Sequence, residues 1–134
     1  MQRVTLLGST GSIGQSTLDV VRQNRDRFEI FALVAGRNLQ LLVQQIAEFS
    51  PKVAVVARKD DLAQLARLLR DAGTTLPELL AGEPAYTEVT TAPEADFVMS
   101  AIVGVAGMEA TYEAICRGKR IGLANKETLV AGGR

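Results

Sequence analysis

Apolar and polar positions along the chain follow two periods in turn. Short apolar runs occur at Val4 to Leu7, Phe28 to Val34, Val53 to Val56, Leu79 to Ala81, Phe97 to Ser100 and Arg120 to Leu123. Several of these are continuously apolar, as strands covered on both faces are. Between them, apolar residues recur at helical spacing. Ser12 to Asn24 carries Ile13, Thr17, Val20 and Val21 on one side. Asn38 is a good N-cap for a second helix with Leu39, Leu42, Val43 and Ile46 on one face, ending before Pro51. Asp60 is expected to cap a third, with Leu62, Leu65, Leu68 and Leu69 inward and Gly73 as its stop. A short polar helix is expected around Pro84 to Thr90. Another runs over Met108 to Cys116 and stops at Gly118, and a last helical turn begins at Asn125. Thr74-Thr75-Leu76-Pro77 reads as a loop.

Strands that alternate with helices throughout imply an α/β fold. Six strands in this rhythm predict a doubly wound, mostly parallel (Rossmann-like) sheet with helices on both faces. At 134 residues the chain is one domain, and no repeat, low-complexity stretch or linker divides it. The chain stops just after a helix begins, and reads as cut rather than finished.

Composition narrows the function more than the fold. Hydrophobic residues make up 47% and aromatics 4%, so the core is aliphatic. Fifteen basic and fifteen acidic residues cancel, which gives no general attraction to nucleic acid or an anionic membrane. No apolar run reaches the ~20 residues of a membrane span, and Gly8 interrupts the only candidate signal segment. One cysteine, Cys116, allows no internal disulfide, and the absence of histidine removes the commonest general base and metal ligand. A cytoplasmic protein is expected.

The chemistry gathers in "GSTGSIG", Gly8 to Gly14, between the first strand and the first helix. Helix N-termini present free N–H groups and a positive dipole end to an anion, usually a pyrophosphate. Gly8 would allow the tight turn, Gly11 the close approach of phosphate, and Gly14 the packing of helix on strand. Ser9, Thr10 and Ser12 add hydroxyls. The spacing GxxGxxG differs from the usual GxGxxG, and no lysine follows as in a P-loop. A glycine-rich turn without a ligand is the competing reading. Placement at the head of the alternation favours a dinucleotide.

The end of the second strand bears on which dinucleotide. NAD sites place an acid there, about 20 residues after the glycines, for the ribose 2′-hydroxyl. This chain has Val34-Ala35-Gly36-Arg37-Asn38, with no acid. Arg37 would pair with a 2′-phosphate in fork geometry, so NADP is favoured. Arg58 and Lys59 read as a solvated pair.

Three stretches together closely resemble one family. "GSTGSIGQSTLDVVR" (Gly8 to Arg22), "ALVAGRN" (Ala32 to Asn38) and "GLANKETLV" (Gly122 to Val130) are similar to the N-terminal domain of 1-deoxy-D-xylulose 5-phosphate reductoisomerase, and "AIVGVAGM" (Ala101 to Met108) fits as well. The resemblance covers essentially the whole chain. It implies a domain, residues 1–134, that binds NADPH for a skeletal rearrangement and reduction giving 2-C-methyl-D-erythritol 4-phosphate in non-mevalonate isoprenoid synthesis. It implies cofactor contacts at Thr10, Gly11, Ser12, Ile13, Gly36, Arg37, Asn38, Asn125 and Glu127, and a substrate contact at Lys126. The family often has lysine in place of Arg37. The resemblance further implies Mg or Mn held by carboxylates downstream of this chain, catalytic and C-terminal domains outside it, a sugar phosphate substrate and a homodimer. Taken alone, "NKE" also reads as an N-cap followed by an exposed Lys-Glu pair. A stand-alone NADP-binding sensor and another NADP-dependent reductase remain alternatives. A semialdehyde dehydrogenase would need a nucleophilic cysteine in a loop, and Cys116 sits in a helical pattern.

Overall fold

The computed structural model describes residues 2–35, 38–100 and 120–123. Within them lie β1 (Gln2–Leu7), α1 (Ser12–Gln23), β2 (Phe28–Val34), α2 (Leu39–Phe49), β3 (Val53–Val56), α3 (Asp60–Asp71), β4 (Glu78–Ala81), α4 (Glu83–Thr91), β5 (Phe97–Ser100) and β6 (Arg120–Leu123). The expected helix at Met108 to Cys116 and the helical turn at Asn125 lie outside the described residues.

The strands form one sheet in the order β4-β3-β2-β1-β5-β6. Every pairing is parallel. The chain winds outward from β1 through β2 and β3 to β4, and then α4 returns it to the other side of β1. Right-handed crossovers that reverse direction must change face. Accordingly α1, α2 and α3 pack Leu18, Val21, Leu42, Ile46, Leu65 and Leu69 on one face. On the opposite face α4 packs Ala85, Tyr86 and Val89. The doubly wound sheet expected from the alternation is the one observed. The order matches the usual 3-2-1-4-5 core with β4 added at the outer edge.

The β1–β2 register slips by one residue: Val4 pairs with Ile30, but Thr5 pairs with Ala32. The extra residue, Phe31, switches which face the alternate side chains of β2 meet. Phe28 and Ile30 lie with α1–α3 before the slip, and so does Leu33 after it, while Phe31, Ala32 and Val34 lie with α4. Thr5 is the polar residue inside the apolar run of β1. It is fully buried, and its hydroxyl donates to the Val89 carbonyl of α4 at 2.9 Å, which meets the requirement that buried polar groups be paired.

Reversal of winding between β1 and β5 opens a crevice at their carboxyl ends. At the opposite, amino ends of the same two strands, Arg3 and Asp96 tie β1 to the start of β5. The Arg3 amide and Nε both donate to Asp96 Oδ2, at 3.0 and 3.1 Å, and the Asp96 amide returns a bond to the Arg3 carbonyl at 2.9 Å. The side-chain bond to Asp96 holds the Arg3 guanidinium above its ordinary pKa.

Two local expectations differ from the structure. Asp60 is the first residue of α3 rather than its cap; Lys59 precedes it with helical dihedrals, and no side chain caps the end. A turn started from Arg58, whose carbonyl accepts from the Asp61 amide, displaces the expected start. Ile13 is 49% exposed and not on the buried face of α1. That face is made by Gly14, Thr17, Leu18, Val20 and Val21. Gly73 does stop α3, with φ +70.

Candidate functional site

The loop from Gly8 to Ile13 leaves the carboxyl end of β1 beside the β1/β5 switch and enters α1. Gly8 has φ 87, in the left-handed region where a side chain is strained. Its amide and that of Ser9 both donate to the Val34 carbonyl, at 2.8 and 3.0 Å, which ties the turn to the end of β2. The Gly11 amide closes the turn on the Gly8 carbonyl at 3.3 Å.

Gly14 answers to close packing. A Cβ there would sit 1.9 Å from the Gly8 carbonyl oxygen and 2.8 Å from the Ser9 backbone. The helix therefore docks on the turn at a distance only glycine permits. Gly11 is different. Its φ of −74 and ψ of 168 are open to any residue, and a Cβ would meet only the Gly8 carbonyl, at 3.7 Å. Nothing inside the described chain requires glycine there, and the position is exposed.

Gly11 is also the N-cap of α1. No side chain caps the helix, and its first turn has no acid. The first helical bond runs from Gln15 N–H to the Gly11 carbonyl at 2.9 Å. The amides of Ser12, Ile13 and Gly14 precede it and have no partner within the helix. In contrast, α2 is capped by Asn38, whose Oδ1 accepts from Leu41 N–H at 3.1 Å. An uncapped N-terminus opened by a glycine is suited to an oxyanion, which would accept from those amides and meet the dipole. Exposed Ser12 and half-buried Thr10 place hydroxyls at the same rim, and Ile13 offers an apolar surface beside it.

Beneath the turn, Ser9 is fully buried and Gln45 of α2 is 5% exposed. Gln45 Nε2 donates to the Ser9 carbonyl at 2.8 Å. Ser9 Oγ and Gln45 Oε1 are buried and have no hydrogen-bond partner among the described residues. The pattern reading passed over Gln45, although its spacing from Leu42 and Phe49 puts it on the inner stripe of α2. A polar residue where the 3.6-residue period asks for an apolar one was the available signal.

The structure thus brings Thr10, Gly11, Ser12 and Ile13 together and puts Asn38 at the start of α2. Asn38 is exposed and spends its carbonyl oxygen on the cap, leaving its amide N–H groups for a ligand. Gly36, Arg37, Asn125, Lys126 and Glu127 lie outside the described residues. A groove of about 350 Å³ between α1 and α2 is walled by Asp19, Arg22, Gln44 and Glu48. Its charges are matched within the wall: Arg22 pairs with Glu48 and, at 2.9 Å, with Asp19.

Among the described residues there is no group of three His, Cys, Asp or Glu able to hold a metal ion. No helix among them is long and apolar enough to cross a membrane.

The family profile described as 1-deoxy-D-xylulose 5-phosphate reductoisomerase matches residues 4–133. The chain belongs to this family. The reductoisomerase of Solibacter usitatus (strain Ellin6076) is 57% identical over 136 residues, covering 99% of this chain and 34% of that relative. The reductoisomerase of Proteus mirabilis (strain HI4320) is 48% identical, covering 100% of this chain and 34% of its own length. This chain therefore spans about a third of the length of these reductoisomerases. Among solved structures, a reductoisomerase in complex with NADPH, fosmidomycin and magnesium superposes with a TM-score of 0.85 at 40% identity, over 97% of this chain and 31% of that one. The Zymomonas mobilis reductoisomerase in complex with NADPH gives a TM-score of 0.82 at 43% identity, over 97% of this chain and 33% of that one.

Proposed function

We propose that this chain is the NADPH-binding domain of a reductoisomerase that converts 1-deoxy-D-xylulose 5-phosphate to 2-C-methyl-D-erythritol 4-phosphate. The observation that carries this reading is the uncapped, acid-free N-terminus of α1, opened by Gly11 at the sheet's switch point. The solved reductoisomerases that contain NADPH and cover 97% of this chain support it.

The residues fit the cofactor. Ser12 and Ile13 amides would donate to the pyrophosphate, with the hydroxyls of Thr10 and Ser12 beside them. Gly11 leaves the approach free of a Cβ, and Ile13 covers an apolar face of the ligand. Asn38 would donate from its amide while its oxygen stays on the α2 cap. Gly36 and Arg37 would receive the 2′-phosphate, with Arg37 pairing in fork geometry. Asn125 and Glu127 would complete the cofactor site, and Lys126 would meet a substrate oxygen. NADPH, when bound, supplies the hydride for the reduction. Magnesium or manganese would hold the substrate from carboxylates of the longer native protein, which we place in the cytoplasm as a homodimer acting on a sugar phosphate.

Titration by cofactor fluorescence tests the assignment. A charge-assisted hydrogen bond contributes ~1.5–3 kcal/mol, so NADPH should bind roughly ten- to a hundredfold more tightly than NADH. Arg37→Asp should narrow or reverse the gap. Equal affinities for the two cofactors in the native protein would remove the NADP assignment.

A further inference from the structure

We propose that Gln45 is a positioning residue for the cofactor's pyrophosphate: from α2 it holds the glycine turn in the shape that aims the α1 amides outward. The inference rests on the NADPH reading above and concerns a residue that would not touch the cofactor.

Gln45 occupies a site on the inner stripe of α2, among Leu42 and Ile46, which are fully or almost fully buried. Burying an amide there costs free energy unless its hydrogen bonds are met. Only its donor half is met, through the 2.8 Å bond to the Ser9 carbonyl, while Oε1 has no partner among the described residues. Stability alone would favour an apolar side chain of the same volume. What the glutamine adds is a grip on one peptide group. That peptide joins Ser9 to Thr10, at the apex between the two anchored ends of the turn. On one side, Gly8 and Ser9 amides are bound to the Val34 carbonyl. On the other, Gly14 is wedged against the Gly8 carbonyl and the Ser9 backbone. Gln15 adds a weaker bond, from Nε2 to the Thr10 carbonyl at 3.2 Å, on the exposed side. With the Ser9 carbonyl drawn inward to the buried Gln45 donor, its dipole is held away from the mouth where phosphate oxygens would otherwise meet it. A peptide flip at Ser9–Thr10 would turn a carbonyl toward the anion, and Gln45 opposes that flip.

The test uses the native polypeptide and two variants. Gln45→Met keeps length and approximate volume and removes the donor. Its NADPH Kd should rise ~3- to 10-fold, the equivalent of one neutral hydrogen bond. Its kcat at saturating NADPH and its KM for the sugar phosphate should stay at wild-type values. Gln45→Glu removes the donor only while ionised; burial raises a carboxyl pKa, and the protonated form can donate to the Ser9 carbonyl. Its NADPH affinity should therefore recover relative to wild type as pH falls from about 8 to about 5. A lowered melting temperature with unchanged NADPH Kd in Gln45→Met would overturn the inference, and so would equal losses in NADPH affinity, kcat and substrate KM. If Gln45→Met does not fold, a flat relative pH profile for Gln45→Glu would overturn it. Failure of the wild-type protein to bind NADPH would instead reject the cofactor reading itself.

Discussion

Gly11 and Gly14 sit three residues apart, and the fold itself demands glycine only at the second. At Gly14 the constraint is internal. Alanine ordinarily favours a helix by ~1 kcal/mol over glycine, but here its Cβ would lie 1.9 Å from a backbone oxygen. The clash should win, since overpacking against backbone typically costs ~1–3 kcal/mol. Gly14→Ala is expected to lower the thermal midpoint and weaken cofactor binding together, because α1 must lift from the turn. At Gly11 the backbone is ordinary and a Cβ has room, so nothing in the described chain demands glycine, and under the proposed function the demand comes from the cofactor. Gly11→Val should keep native circular dichroism and melting yet abolish NADPH binding, because a branched side chain would fill the pyrophosphate's approach. Normal binding by a folded Gly11→Val protein would show that the turn is not the phosphate site.

Among the elements, α1 and α2 are joined on their outer side by charge and by an aromatic ring. Arg22 pairs with Glu48 and Asp19, Arg25 pairs with Glu48 at 3.3 Å, and both guanidinium groups lie over the Phe49 ring, at 5.5 and 4.9 Å. The Arg22 bond, aided by the charges of Arg22 and Arg25, holds the Glu48 carboxyl below its ordinary pKa. A carboxyl depressed in the folded state adds stability above its unfolded pKa, and that stability disappears as pH falls through the folded value. Glu48→Gln should therefore lower the melting temperature at neutral pH, and the difference from wild type should shrink below about pH 4. The pair is partly exposed, so the expected loss is at most ~1 kcal/mol and should diminish in high salt. A gap that persists unchanged at low pH would assign the effect to packing around Phe49 instead. The limits of sequence reading are visible in these same elements. The runs at β1 to β6 and the stripe of α2 could be read because a sheet covered on both faces leaves long uninterrupted apolar signatures. Ile13 and Asp60 were misplaced because both fall at helix starts, where periodicity has only one turn to act on and local backbone turns decide the boundary. Thr5 and Gln45 are marked locally only as polar residues at apolar positions; which partners they meet, Val89 and Ser9, lies far along the chain and no local pattern encodes it. The glycine turn between β1 and α1 was legible in the sequence, but the close packing that demands glycine at Gly14 comes from the Gly8 and Ser9 backbone in space. Arg37 remains an inference from residue type and family.

For the whole molecule, the proposed function separates holding a cofactor from doing chemistry. Among the described residues the sheet's winding reverses between β1 and β5, and the groups proposed to meet the cofactor gather beside that crevice. They are amides, hydroxyls and glycines, groups suited to bind and orient an anion but not to move a proton or polarise a carbonyl. A reductoisomerase solved with NADPH, fosmidomycin and magnesium superposes on this chain over only 31% of its own length. Hard divalent ions need several oxygen ligands held together. The described residues hold no such cluster, and the sequence contains no histidine. The 134-residue chain by itself is therefore expected to bind NADPH without turning over 1-deoxy-D-xylulose 5-phosphate, even with magnesium or manganese added. NADPH oxidation followed by absorbance, first with this chain and then with the native polypeptide, separates the two capacities. Steady substrate-dependent oxidation by the short chain would mean that groups in this domain do the chemistry, with Lys126 the first to substitute. Cofactor binding without oxidation by the native polypeptide would leave a domain that senses NADPH, and the reductoisomerase proposal would fall.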